Sequence, residues 1–363
     1  MNSSVSRGAG LVLAAALLWG TIGPGQVLAG DLLGPAALAG WRHVVGGLAL
    51  CAVALAGPAG LRALGDRRVR KWVLLAGTAG AAYQVSFLAA VSLSGAAMGT
   101  VVGVATVPLF CGLVTRFADG QRLGPAWLIG SGLAVGGSCL LLLPGAGSGV
   151  DALGLAAGVT AGALFALYTA AAKRLGTTGV PVYAGTGASM LVGGVLLTPA
   201  MAAQADGLAE PRVLAVIAWL GLVTTAAAYA LYAMGLRTVR TSVAGTLSLG
   251  EPLAAALLST TLLGERLTPA EWAACLTILA GLLITSRSPS PDAPSLALAI
   301  GMVPMPVRVP LRPDLVGRPH PAGRGVARPS APEAPTAAYH RVDLQVSRQW
   351  HPTGRDPSEV RRP

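Results

Sequence analysis

One carboxylate, Glu251, stands about halfway along an apolar run at residues 240–262 and is followed directly by Pro252. An ionisable group at mid-membrane costs roughly 2.5 to 3.5 kcal/mol on insertion scales, so one that persists faces a cavity or a partner. The proline removes a backbone donor and disfavours helical geometry at the residue before it. Freed carbonyls and the carboxylate together could hold a cation, a substrate amine or a proton. A structural role, in which Glu251 pairs with a neighbouring helix and fixes a kink, stays open beside that one.

Arg42, with His43 beside it, lies one to two turns into a second apolar run. At that depth an arginine either snorkels to the interface beside Trp41 or turns inward, where it can dock a carboxylate. The runs also carry Trp19, Gln26, Tyr83, Gln84, Tyr168, Tyr229 and Tyr232. Tyrosine and tryptophan pair an apolar body with a hydrogen-bonding tip, which suits an amphipathic ligand. Tyr229 and Tyr232, three apart on one helical face, and Gln84, which needs a partner if buried, lead this group. Each of them also reads as a packing residue.

Other chemistries find no support. Cys51, Cys111, Cys139 and Cys275 each sit inside an apolar run with no Cys or His at metal-ligand spacing, so neither a disulfide nor a metal is expected. His43 is the sole histidine of the apolar region, and no nucleophile with a base or paired carboxylates accompany it, so the chain does not read as an enzyme. The stretch Gly130-Ser131-Gly132 through Gly136 has no strand before it and is no dinucleotide loop. No cofactor is implied.

These groups need elements to hold them. With 53% hydrophobic and 11% charged residues, the chain is too apolar for an ordinary soluble domain, in which charged residues run near a quarter. A helix crosses the hydrocarbon core with roughly 20 apolar residues, whereas an open strand would orphan its donors. Such runs fall near 11–29, 36–56, 72–91, 96–116, 125–143, 152–172, 182–201, 212–235, 240–262 and 270–286. The expectation is an all-α membrane bundle of about ten helices, the weakest boundary being Ser92-Leu93-Ser94-Gly95. The first run is expected to stay as a helix and not be cleaved as a signal. With the N-terminus inside, alternate loops carry Arg62, Arg67, Arg68, Arg70 and Lys71, then Arg116 and Arg122, then Lys173 and Arg174, then Arg237 and Arg240. Basic residues accumulate on the cytoplasmic side, so both termini are expected there, in the cell membrane. The net charge of +11 thus reads as a topology signal, with no nucleic-acid motif. Trp41, Trp72, Trp127 and Trp272 fall near the starts of runs, as interfacial anchors do.

Pro108 and Pro252 are 144 residues apart, and that offset lays Gly120-Gln121-Arg122-Leu123-Gly124-Pro125 on Gly264-Glu265-Arg266-Leu267-Thr268-Pro269, and Gly137 on Gly281. This implies two five-helix repeats, at 1–143 and 144–286. Because five is odd, the second enters the membrane inverted. Pro108 and Pro252 are the expected helix breaks. Glycines at 154, 158 and 162, and at 99 and 103, form flat stripes for close helix packing. Residues 287–363 hold 15 of the 26 prolines and 11 of the 26 basic residues, a disordered cytoplasmic tail by composition.

Leu18-Trp19-Gly20-Thr21, Pro108, Leu249-Gly250-Glu251-Pro252-Leu253 and Leu263-Gly264-Glu265-Arg266-Leu267-Thr268 resemble the EamA-type family of the drug/metabolite transporter superfamily, over about residues 10 to 286. The resemblance implies two inverted five-helix repeats, a central cavity, alternating access, and export of amino acids or other small metabolites. Gln121 in place of the second-half Glu, and Val107 before Pro108, depart from the pattern and leave the halves chemically unequal. The expected partners are a small-molecule solute and the lipid bilayer; proton coupling and a homodimer stay open. The competing reading is a membrane receptor or scaffold without solute flux.

Overall fold

The computed structural model describes residues 3–23, 25, 33–57, 61–142, 151–204, 208–262 and 267–287. Its first half contains α1 (Ser3–Trp19), α2 (Pro35–Leu55), α3 (Arg67–Ser94), α4 (Ala96–Leu113) and α5 (Pro125–Leu142). A π-helical turn, Val114–Ala118, extends α4. The second half contains α6 (Ala152–Gly176), α7 (Val182–Leu196), α8 (Pro211–Leu236), α9 (Thr241–Leu247), α10 (Gly250–Leu262) and α11 (Pro269–Ser286). No strand occurs among the described residues. Seven helices among them are long and apolar enough to cross a membrane, namely α2, α3, α4 with its extension, α5, α6, α8 and α11. The expected tail from 288 onward and the turn at 263–266 lie outside the described residues, as does Gln26.

Helix ends obey local chemistry. Asp66 caps α3 by accepting from the Arg68 amide at 2.8 Å, and Asp151 caps α6 through the amides of Leu153 and Gly154 at 2.7 and 3.3 Å. Thr268 and Glu271 form a reciprocal capping box at the start of α11. Each cap satisfies amides that the first turn leaves without a partner, for about 1 kcal/mol. The boundary expected near 92–95 falls at Gly95, whose φ of 80° suits a residue without a Cβ.

Several sequence expectations shift. The first helix starts at Ser3, not near 11, because nothing in its polar start breaks a helix and Gly8 packs closely on Gly235. The ninth run is not one helix: it is interrupted at Ser248 and Leu249. In an unbroken helix the residue-252 amide would donate to the Ser248 carbonyl, and Pro252 has none to give. Glu251 N donates to Ser248 O instead, at 3.0 Å. The break therefore precedes Pro252, which sits in the first turn of α10. Pro108 does not break its helix; α4 runs through it. Close packing keeps α4 in register there, since a Cβ on Gly162 of α6 would lie 2.1 Å from Thr106 Oγ1. Trp127 is buried and donates to Ser242 O at 3.0 Å, so it is not an interfacial anchor. Trp272 is exposed.

The packing pairs one half with the other. Helix α2 lies on α7, α5 on α11 and α4 on α9; α3 lies on α6 as α1 does on α8, and α2 on α8 as α3 does on α7. Exchanging each of these helices for its counterpart in the other half returns this same set of pairs. Glycines permit the closest of them. A Cβ on Gly137 would stand 2.8 Å from Ile278 N, and one on its repeat mate Gly281 would stand 2.5 Å from Ala134 N and Gly130 O. The stripe Gly154, Gly158 and Gly162 faces Ser94, Val102 and Thr106 in the same way. Large apolar side chains such as Leu48, Leu55, Leu74, Leu109, Phe117, Leu153, Val195 and Leu276 point outward, a surface that suits lipid better than water.

Candidate functional site

Four helices bring a set of aromatic rings together. Trp19, at the end of α1, has its ring centroid 5.0 Å from Tyr229 and 5.2 Å from Tyr232, both on α8. Phe165 of α6 meets Trp19 edge-on at 6.1 Å and Tyr83 of α3 at 5.3 Å. Tyr168, one turn beyond Phe165, lies 5.6 Å from Tyr229. The Tyr232 hydroxyl is hydrogen-bonded to Thr169 Oγ1 at 2.9 Å. Such ring pairs contribute about 0.5–1.5 kcal/mol each beyond their burial.

The motif around Trp19 has a steric reason. Gly20 sits where a Cβ would be 2.5 Å from the Ala254 Cβ and 3.0 Å from the Glu251 carbonyl oxygen. Only glycine lets α1 come this close to the first turns of α10, and that approach sets the Trp19 ring beside the carboxylate-bearing helix.

Arg42 does not snorkel. It is 6% exposed, inside the bundle, and its Nη1 has no hydrogen-bond partner. Arg42 and Glu251 lie within electrostatic reach of each other and of the Tyr83 and Tyr229 hydroxyls, yet they form no ion pair. An ion pair joins Arg174, near the end of α6, to Asp119, just past the π turn that extends α4. Glu251 is partly buried, in the first turn of α10. His43 bonds the Ala39 carbonyl through Nδ1 at 2.6 Å, and its ring lies 6.3 Å from Tyr229.

Helix α8 supplies the last part. Its middle, Leu220–Ala227, is π-helical, the wider form that inserts a residue into the turn and rotates the next stretch of helix. Tyr229 and Tyr232 come directly after it. Gly46 of α2 makes room for the widened turn, since a Cβ there would be 2.7 Å from the Gly221 carbonyl oxygen. Thr224 bonds back to Leu220 O at 2.7 Å, whereas the buried Thr225 Oγ1 has no partner.

Trp19 Nε1, Arg42 Nη1, Gln84 Nε2 and Thr225 Oγ1 are thus four buried polar atoms without partners on α1, α2, α3 and α8. A dry, unpaired donor costs about 1–3 kcal/mol, so each of these atoms is suited to pairing with water or a polar ligand. A cavity of about 20 Å³, bordered by Tyr168, Thr186 and Ser189, lies to one side and touches neither charge. It has room for about one water, so the charged and aromatic groups mark the site better than that cavity does. No group of metal-ligating side chains occurs among the described residues.

Of the sequence candidates, the structure unites Trp19, Arg42, Tyr229, Tyr232 and Glu251. Gln84 is buried on α3 beside Tyr83 in the chain, but its neighbour's ring, not its own amide, joins the cluster. Pro252 abuts the site through Glu251; Pro108 lies on α4 outside the ring cluster. Sequence reasoning missed Phe165 and Thr225. For Phe165 the available signal was its spacing of three and four from Tyr168 and Thr169 on one helical face; for Thr225 there was none.

The chain has relatives among known proteins. It is 35% identical over 284 residues to YwfM of Bacillus subtilis, an uncharacterised transporter, covering 77% of this chain and 93% of that one. It is 28% identical over 296 residues to YicL of Salmonella typhimurium, an uncharacterised inner membrane transporter, covering 78% and 96%. A crystal structure 24% identical in sequence superposes with a TM-score of 0.63 over 77% of this chain and 96% of its own, a likeness of fold. The EamA-like transporter family matches twice, at residues 6–143 and 152–287, and with a repeat on each half the chain belongs to that family as a multi-pass membrane transporter.

Proposed function

We propose that the chain is a secondary transporter that moves a small charged metabolite, an amino acid or a similar solute, across the cell membrane by alternating access, in the direction of export. The observation that carries this reading is a pair of opposite charges that form no ion pair with each other, Arg42 and Glu251, beside a wall of aromatic rings. A solute bearing both a carboxylate and an amine satisfies the two charges together, and the rings accept its apolar part. In this reading the ten crossings are α1 to α8, the α9–α10 pair and α11, arranged as inverted repeats at 1–143 and 144–286 with both termini cytoplasmic. The counterpart-for-counterpart packing supports rocking of one repeat on the other. Residues 287–363 form a cytoplasmic tail. Protons are a natural coupling ion, because a carboxylate can carry one across.

The test is thermal stability of the detergent-purified protein against amino acids, nucleosides, sugars and amphipathic amines, followed by liposome flux. A ligand that binds the folded state at 100 times its Kd adds about 2.7 kcal/mol by mass action. A reproducible shift with a zwitterion, and flux of that compound, is the expected result. A folded protein that responds to none of the panel would favour a receptor or scaffold.

A further inference from the structure

Beyond the solute site, a second group of polar side chains ties the two halves together at the end of the bundle that carries Arg174 and Arg240. There Asp119, just past the π turn of α4, bonds Arg174 Nη2 through Oδ1 at 2.9 Å and receives Thr241 Oγ1 on Oδ2 at 3.5 Å. Arg174 also donates to the Ala118 carbonyl at 3.3 Å. The Ser242 amide donates to Thr115 Oγ1 at 2.9 Å, Trp127 Nε1 to the Ser242 carbonyl at 3.0 Å, and the Ser131 and Thr246 hydroxyls pair at 2.6 Å. All these bonds cross from the first half to the second, and most of them end on α9, whose seven residues are all buried. At the opposite end the described residues offer three cross-half bonds, none between charges: Gly34 N to Gln204 Oε1 at 2.5 Å, Trp219 Nε1 to Thr21 Oγ1 at 3.3 Å, and Ser94 Oγ to the Asp151 carbonyl at 3.4 Å.

The break at Ser248–Leu249 separates this buried segment from α10. On one side α9 is held to α4 and α5; on the other, α10 is held to α1 through Gly20 and carries Glu251. Two short helices joined at an interruption can move independently, as hinged segments do. Cys111, one turn before Thr115 on α4, is fully buried behind the polar group, against Gly245 of α9. At the repeat offset of 144 the residue matching Asp119 is Leu263, so the carboxylate belongs to one end alone.

We infer that this polar group is the gate of the basic end, that the Asp119 carboxylate is its latch, and that opening it swings α9 about Ser248–Leu249 away from α4. The inference rests on the transport reading, since a gate has a purpose only where something passes. Asp119 acts by holding Arg174 and Thr241, and touches no solute.

Cys111 reports the gate directly. In a chain with Cys51, Cys139 and Cys275 replaced by alanine, labelling by a membrane-impermeant maleimide is measured from the basic-end side, with labelling in denaturant as the control for reactivity. The parent should label slowly. Asp119→Asn and Arg174→Gln should each raise the rate about two- to fivefold, the population shift that a partly exposed ion pair can hold. Asp119→Arg should raise it too, and Asp119→Arg with Arg174→Asp should return it toward the parent. Thr241→Val, milder to the fold, should give a smaller rise in the same direction. A rate unchanged in Asp119→Asn and Thr241→Val, or a double variant as fast as Asp119→Arg, overturns the latch. Solute flux in the same liposomes separates the two readings. Flux with flat labelling keeps the transporter and removes the latch, whereas responsive labelling with no flux for the whole panel removes the transport reading and the gate with it, leaving Asp119 as a contact that holds α9 in place.

Discussion

The centre of the bundle and its basic end are both rich in buried polar atoms, and they differ in how many bonds those atoms make between the two halves. At the basic end Thr115, Trp127, Ser131 and Asp119 bond Ser242, Thr246 and Arg174 of the other half, with the Ser242 and Gln121 side chains left over. At the centre Trp19 Nε1, Arg42 Nη1 and Thr225 Oγ1 have no partner among the described residues. Since an unpaired buried group costs about 1–3 kcal/mol, a fold keeps several in one place only where something else pairs with them. The basic end is built to hold the protein's own halves together; the centre is built to hold something else. Removing one group at a time shows which of these two descriptions it obeys.

The largest effect is expected from Glu251→Gln. Losing one member of a desolvated charge pair costs about 2–5 kcal/mol or more, so solute flux should fall by about 100-fold. The unfolding temperature should hold, because Glu251 forms no ion pair with a described residue. Flux and its response to pH are read in proteoliposomes. Full flux with an unchanged pH response would take Glu251 out of the mechanism.

What the sequence disclosed about these two regions differs for a physical reason. Glu251-Pro252 and Arg42 stood out because a charge in an apolar run is conspicuous against its local background, and the repeat offset was legible because Gly137 and Gly281 must each let a neighbouring backbone approach. The π-helical stretch of α8 left no trace, since Leu220–Ala227 has the same apolar composition as any spanning segment. Asp119 and Arg174 are 55 residues apart; in sequence Arg174 read as an ordinary loop charge, and nothing marked Asp119 as its partner. Nor did anything local set Thr241–Leu247 apart as a separate buried helix. Its interruption arises one turn before Pro252, at the carbonyl the proline cannot reach, so the proline was visible while the position of its effect was not.

Smaller, and on stability instead of flux, is the effect at the Ser131–Thr246 pair. Ser131→Ala removes the cross-half bond of the buried Thr246 hydroxyl, which keeps its bond to Ser242 O at 3.2 Å, and should destabilise the protein by about 0.5–1.5 kcal/mol. Ser131→Ala with Thr246→Val removes both members and should recover most of that loss. Thermal unfolding in detergent measures all three chains. Additive losses in the double variant would mean that the two hydroxyls are not coupled and that the basic end is less self-satisfied than its geometry states.

The smallest effect, and the sharpest discrimination, comes from Trp19→Phe. The ring stays aromatic, so its contacts with Tyr229, Tyr232 and Phe165 are largely kept, while the indole N–H disappears. At the basic end the same operation on Trp127 would break a bond between the two halves, leaving the Ser242 carbonyl with the Thr246 hydroxyl at 3.2 Å. At Trp19 it strands nothing, and it relieves an unpaired donor, so the ligand-free protein should change by no more than about 0.5 kcal/mol in stability. If the donor is kept for a solute, the cost appears only when the solute is present: binding should weaken by about tenfold, the value of one hydrogen bond, and the ligand-induced rise in unfolding temperature should shrink with it. A Trp19→Phe protein that unfolds early without ligand, yet binds as the parent does, would place Trp19 with the packing residues and reduce the contrast between the two regions to Arg42 and Glu251.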